Sequence, residues 1–186
     1  MEWTNSITEG TTNLFWRGIS ISGDKAVACA SGGGLWRSDD AGFTWTQSTT
    51  DTLPWRGISI SGENAVACAS GGGLWRSGNA GGAWTQSTTD TLPWSRISIS
   101  GENAVACAFG GGIWRSGNAG GAWTQSTTDI LPWRGISISG DNTVACAAGG
   151  GIWRSGNAGG AWTRSTTDSL DWFGISISGE NAVACA

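Results

Sequence analysis

The chain has no histidine and no tyrosine, three prolines and a single lysine among 186 residues. Without histidine, neither a Ser–His nor a Cys–His nucleophilic pair can be assembled, and without tyrosine a phenolate nucleophile has no candidate. Charge is scarce as well, at 13% of residues with a net charge of −4 and no basic run. This removes the electrostatic footprint expected of a nucleic-acid binder or of a protein held on an anionic membrane. No stretch is long and apolar enough for a membrane-spanning helix, and the opening MEWTNSITEG lacks the basic and apolar regions of a secretion signal. The Gly-rich SGGGLW is followed by no Gly-Lys-Ser/Thr, which argues against a phosphate loop. The expectation is a protein that is not an enzyme, takes no cofactor or metal, binds no nucleic acid and has no transmembrane segment.

What the chain has in abundance is glycine, with 32 residues, and tryptophan, with 14. Both recur at a fixed spacing. Full copies of a thirty-nine-residue unit run over 16–54, 55–93, 94–132 and 133–171, and a partial copy over 172–186. Periodicity of this length marks a repeat fold, in which each unit buries its apolar face against its neighbours. Within a unit, ISIS (Ile19–Ser22) and AVACA (Ala26–Ala30) alternate with period two, and GLWRS (Gly34–Ser38) and TWTQS (Thr44–Ser48) are rich in Trp and Thr. Turn signals built from Gly, Asp, Asn, Ser and Pro separate the four. Four short antiparallel strands per copy make one propeller blade, so the predicted fold is an all-β, five-bladed β-propeller occupying residues 1–186 as one domain.

The ends fit a closed ring. The chain finishes after two strands of the fifth copy, while EWTNS near the start matches the fourth strand TWTQS, so residues 1–15 are expected to supply the closing strand. Together the ends lack a counterpart of the third strand, which leaves the closing blade incomplete. An irregular closure, a fragment, or a strand donated by another chain would each account for this.

SDDAGFTW (Ser38–Trp45) fits the Asp-box pattern Ser-x-Asp-x-Gly-x-x-Trp of sialidases and related BNR-repeat propellers. More broadly, the succession ISIS, AVACA and GGGLWRSDDAGFTW resembles the blades of the photosystem II stability and assembly factor family over residues 16–186. The resemblance implies a protein that docks to a larger complex through a basic patch, with Arg37, Arg76, Arg115 and Arg154 matching the family's motif arginine. A sialidase activity is not implied, because its tyrosine nucleophile is missing. The box has a local structural reading: Ser38 and Asp40 bind their own turn, Gly42 takes positive φ, and Trp45 covers the turn. Asn79, Asn118 and Asn157 stand where the pattern has Asp, with Trp84, Trp123 and Trp162 after them; their side-chain oxygens can make the same turn, whereas a calcium site would need clustered carboxylates.

The symmetry of the repeat disposes of two other chemistries. Asp51, Asp90, Asp129 and Asp168 are equivalent positions on separate blades, too far apart for an acid pair. Cys29, Cys68, Cys107, Cys146 and Cys185 likewise fall one to a blade, beyond the roughly 7 Å Cα limit of a disulfide, and read as small buried hydrophobes. Free thiols, and the lack of any Asn-x-Ser/Thr site, favour a reducing compartment such as cytoplasm or plastid.

Recognition remains. In a propeller the loops from fourth to first strand and from second to third emerge on one face, which here carries LPWRG and ASGGGLW. Trp16 and Arg17, Trp55 and Arg56, Trp94 and Arg96, Trp133 and Arg134, and Trp172 are therefore the candidate contacts, each beside exposed glycine backbone. The third copy breaks the pattern with Trp94-Ser95-Arg96 and the fifth with Trp172-Phe173, so the face is not five-fold in function. Trp and Arg suit a protein partner or larger complex; a Trp plate in every blade also suits a multivalent lectin with one weak glycan site per blade. The competing structural reading places these Trp in the core between blades.

Overall fold

The computed structural model describes residues 14–186. Blade 1 contains β1 (Phe15–Ser22), β2 (Lys25–Ser31), β3 (Gly34–Ser38) and β4 (Thr46–Gln47). Blade 2 follows with β5 (Trp55–Ser61), β6 (Asn64–Ala69), β7 (Gly73–Ser77) and β8 (Thr85–Gln86), and blade 3 with β9 (Trp94–Ser100), β10 (Asn103–Ala108), β11 (Gly112–Ser116) and β12 (Thr124–Thr127). Blade 4 holds β13 (Trp133–Ser139), β14 (Asn142–Ala147), β15 (Gly151–Ser155) and β16 (Thr163–Arg164), and blade 5 holds β17 (Gly174–Ser178) and β18 (Asn181–Cys185). Each of the first four is an antiparallel sheet paired in chain order, the fifth is a two-stranded ribbon, and no helix occurs among the described residues. The architecture is an all-β propeller. The strand expected of residues 1–15 rests on EWTNS, which lies outside the described residues.

The hairpin joining first and second strands explains the repeated Ser-Gly-Glu/Asp-Asn. Ser61 pairs with Asn64 across two residues, and Gly62 takes φ 60°, as a primed turn matched to strand twist requires. In blades 2 and 3 the second strand is buried from its second residue onward, because a blade lies against each of its faces. Only small or slender side chains fit there, hence AVACA. Fourth strands are shorter than the sequence suggests, only two residues in three blades, since the turn before them takes up Thr44 and Trp45 and their equivalents.

First strands of successive blades lie side by side around the centre. Serine explains how their backbones are satisfied. Ser59 Oγ accepts the Ile99 N–H at 3.2 Å and Ser61 Oγ the Gly101 N–H at 2.9 Å, and the same pair of bonds joins blade 1 to 2, 3 to 4 and 4 to 5. A first strand has an edge with no further strand to pair, and hydroxyls of the preceding blade occupy its donors. The Ile residues of ISIS point the other way in register and bury against the previous blade: Ile58 and Ile60 pack on Val27, Cys29 and Leu35.

Candidate functional site

In blades 2 to 4 the tryptophan that opens the unit begins the first strand instead of belonging to a loop, whereas Trp16 is the second residue of β1 and Trp172 precedes β17. Trp55, Trp94 and Trp133 are fully buried, each edge-on to the third-strand tryptophan of its own blade, as Trp55 is to Trp75 at 5.8 Å. An aspartate four residues upstream fixes the indole: Trp55 Nε1 donates to Asp51 at 2.9 Å, Trp94 Nε1 to Asp90 at 2.8 Å and Trp172 Nε1 to Asp168 at 2.7 Å. Asp129 departs from this, with its backbone carbonyl accepting from Trp133. These aspartates are therefore loop anchors for the core tryptophans. Only Trp16, on β1, and Trp172 retain part of their surface. The expected row of exposed aromatic plates is absent, because an indole with a carboxylate partner for its N–H can be buried without an orphaned donor.

Burying the tryptophan leaves the next side chain on the rim. The ladder shifts register between Trp55 and Gly57 and between Trp133 and Gly135, so Arg56 and Arg134 sit on bulges and project from the sheet. Blade 3 has its bulge at the same place but fills it with Ser95, which moves the arginine one position along the strand. There Ser95 donates to the Cys107 carbonyl at 3.0 Å, and Arg96 stands opposite Cys107, where Gly18, Gly57, Gly135 and Gly174 stand opposite their own blades' cysteines. A Cβ would be closest to its cysteine at Gly135, 2.8 Å from Cys146 Sγ, and would reach ordinary contact at Gly18, 3.4 Å from Cys29 Sγ. Among the described residues Arg96 is thus the one cation that stands in a first-strand ladder opposite a cysteine.

The thiols register this placement. Burial pushes Cys29 and Cys107 up to about 12, Cys146 up to about 11, and Cys68 well above its ordinary value. Arg96 pulls in the opposite direction on all four. Cys185 differs from the other four in being exposed, because no blade among the described residues covers β18.

Arg56, Arg96 and Arg134 come together at a cleft of about 440 Å3, bordered also by Ser70, Phe109 and Phe173. Arg134 lies over both rings, 5.8 Å from the Phe109 centroid and 5.2 Å from that of Phe173, and its Nε is buried without a partner. No carboxylate among the described residues bridges any of the three; the ion pairs found join Asp39 to Lys25 and Arg37 on blade 1. Arg17 is exposed on blade 1 and does not border the cleft. Arg76, Arg115 and Arg154, on third strands, are exposed and also stay outside it. Phe109 was not anticipated, although it too replaces the small residue of the other copies, Ser70 or Ala148.

The turn between third and fourth strands is built the same way four times. Ser38 Oγ donates to Asp40 Oδ1 at 2.7 Å and accepts the Gly42 N–H at 2.8 Å, Asp40 accepts the Thr44 N–H at 2.8 Å, and Trp45 Nε1 donates to the Gly42 carbonyl. Asn79, Asn118 and Asn157 replace the carboxylate with an amide oxygen in the same bonds. Trp123 bonds Gly120 as Trp45 bonds Gly42, Trp162 turns to Ser126, and Trp84 Nε1 has no partner. Hydrogen bonds from Thr44 and Ser38 hold the Asp40 carboxyl down at about 2. Ala41, Ala80, Ala119 and Ala158 precede the glycine at φ of 51–57°. No three His, Cys, Asp or Glu side chains gather as a metal site among the described residues.

No protein-family model matches the chain, and no curated protein matches it. Solved structures do. YCF48 bound to D1 peptide superposes with a TM-score of 0.68 at 17% identity, over 89% of this chain and 59% of that one. The computationally designed Ika8 protein gives 0.75 at 13% identity, over 91% and 54%. An ancestral GH74 enzyme gives 0.61 at 16% identity, over 83% and 26%. The chain thus spans about three-fifths of the length of the YCF48 structure, and the likeness is one of propeller fold.

Proposed function

We propose that the chain is a non-catalytic propeller scaffold whose Arg56, Arg96 and Arg134 cleft docks an acidic segment of a protein partner. The observation that carries this reading is convergence without compensation. Three guanidinium groups from three blades meet on a protein of net charge −4, and no carboxylate of the described chain answers them. Guanidinium groups held near one another repel, and a carboxylate-bearing ligand relieves that repulsion with bidentate hydrogen bonds. Phe109 and Phe173 hold the Arg134 fork in place and give the ligand's stem an apolar border. Likeness in fold to YCF48 bound to D1 peptide adds support for a peptide-like ligand.

The remaining parts of the reading are structural. The turn at Ser38–Trp45 and its Asn-bearing copies is taken as an Asp-box that joins third and fourth strands, and residues 1–186 as one propeller domain. A lectin with a site per blade is not favoured, because the indoles it would use are buried. The test is a fluorescence-anisotropy titration with a labelled hexaglutamate peptide and a hexaglutamine control. The reading expects binding of the first alone and a loss of about tenfold or more for Arg96→Gly, the residue the other blades carry; equal binding of both peptides, or no effect of the substitution, overturns it.

A further inference from the structure

Three junctions inside the chain repeat one pattern of contact. Val27, Cys29 and Leu35 of blade 1 meet Trp55, Ile58 and Ile60 of blade 2. Val66, Cys68 and Leu74 meet Trp94, Ile97 and Ile99, and Val105, Cys107 and Ile113 meet Trp133, Ile136 and Ile138. Each blade thus offers its successor a valine, a cysteine, an aliphatic side chain and two serine acceptors, and receives in return an indole, two isoleucines and two N–H donors.

At the two ends of the described chain each half stands without the other. On β1, Ile19 is 70% exposed and Ile21 57%, where Ile58 and Ile60 are 6% and 5%. On β18, Val183 is 73% exposed, where Val66 is buried, and Cys185 lies open beside it. The side chains of Ser176 and Ser178 are exposed on β17, with no following strand among the described residues to donate to them. Exposed apolar groups in a contiguous patch mark an interaction surface.

We propose that these two faces bind each other between copies of the chain, head to tail. β1 of one copy seats on β17 and β18 of the next, with Ile19 and Ile21 covering Val183 and Cys185. Ser176 and Ser178 accept the N–H groups of Ile21 and Gly23, the counterparts of the Ile60 and Gly62 bonds to Ser20 and Ser22. A second copy is the occupant because the contact would continue an interface that the chain already forms internally, with the same residue types in the same register. The two faces are different and complementary, so the association is heterologous and not a two-fold one. It does not depend on the arginine cleft.

Light scattering coupled to size exclusion, run over a dilution series, tests this with two blocked chains. Ile19→Asp spoils the head and Val183→Asp the tail, and both positions are exposed in the free chain, so folding should survive; Ile19→Ser and Val183→Ser serve if melting shows otherwise. Wild type is expected to exceed the mass of one chain, each variant alone to match one chain, and their equimolar mixture to match two and no more. Thiol reagent should meanwhile modify Cys185 quickly in either variant and lose that fast phase in wild type. A monomeric wild type, association persisting in both variants, or a mixture no heavier than one chain would overturn the proposal.

Discussion

The same serine occurs at the same place in five copies of ISIS, yet its surroundings differ, which makes it a controlled experiment within one chain. Ser59→Ala removes the acceptor of the Ile99 N–H, a partly buried bond of 3.2 Å. Strands pack tightly on either side, so water reaches the freed donor poorly, and an orphaned buried donor costs about 1–3 kcal/mol. Partial burial places the expected loss near the lower end, about 1–1.5 kcal/mol, or about 2–6 °C in melting temperature for a chain of this size. Ser98→Ala and Ser137→Ala free the Ile138 and Ile177 donors and should act alike. The three lie in separate junctions, so their effects should add within about 0.5 kcal/mol. Ser176→Ala, measured in the Ile19→Asp background that blocks association, should shift stability by no more than about 0.5 kcal/mol. Thermal melts followed by far-ultraviolet circular dichroism give all four values. Equal losses at Ser59 and Ser176, or none at either, would refute the assignment of these hydroxyls as ties between blades.

Other consequences follow from burial and backbone geometry. The folded-state thiols of Cys29 and Cys107 are raised to about 12 from 9.0, so their contribution is complete below about pH 9 and is lost as pH rises toward 12. Urea midpoints should hold steady between neutral pH and that threshold and fall above it, and Cys107→Ala should flatten the fall by one thiol's share, about 1.4 kcal/mol per pH unit; an unchanged slope would remove the thiols as its cause. Ala41→Gly should stabilise by up to about 1 kcal/mol, since a left-handed alanine is strained and Ala41 is exposed. Ala80→Gly should gain little, because the relief is offset by the loss of a buried methyl worth about 0.8 kcal/mol; denaturant midpoints of the two variants compare them directly.

Blade architecture was legible because periodicity reports it several times over: strand alternation, turn glycines and the thirty-nine-residue spacing all agree. The position of the leading tryptophan was not. Beside proline and arginine it reads as a loop residue, and its burial depends on an aspartate four residues away supplying an acceptor that no strand pattern signals. Arg56, Arg96 and Arg134 were named by the repeat itself, whereas the asymmetry of the cleft was visible only as departures from it, at Ser95, Arg96 and Phe173. Phe109 was missed although it is a departure of the same kind. A second-strand loop, read alone, does not announce that its side chain reaches the arginine of the following blade. The exposure of Val183 and Cys185 was equally hidden, since their counterparts in identical sequence are buried by a neighbour.

The claim that Arg56, Arg96 and Arg134 form one anion-docking site is tested most directly by the salt dependence of hexaglutamate binding to wild type and to the Arg56→Ala, Arg96→Gly, Arg134→Ala triple variant. The account predicts measurable affinity for wild type that declines steadily with added salt, as screening of opposed charges requires, and a triple variant that binds no better than the hexaglutamine control. Binding by the triple variant equal to wild type across the salt series would contradict it.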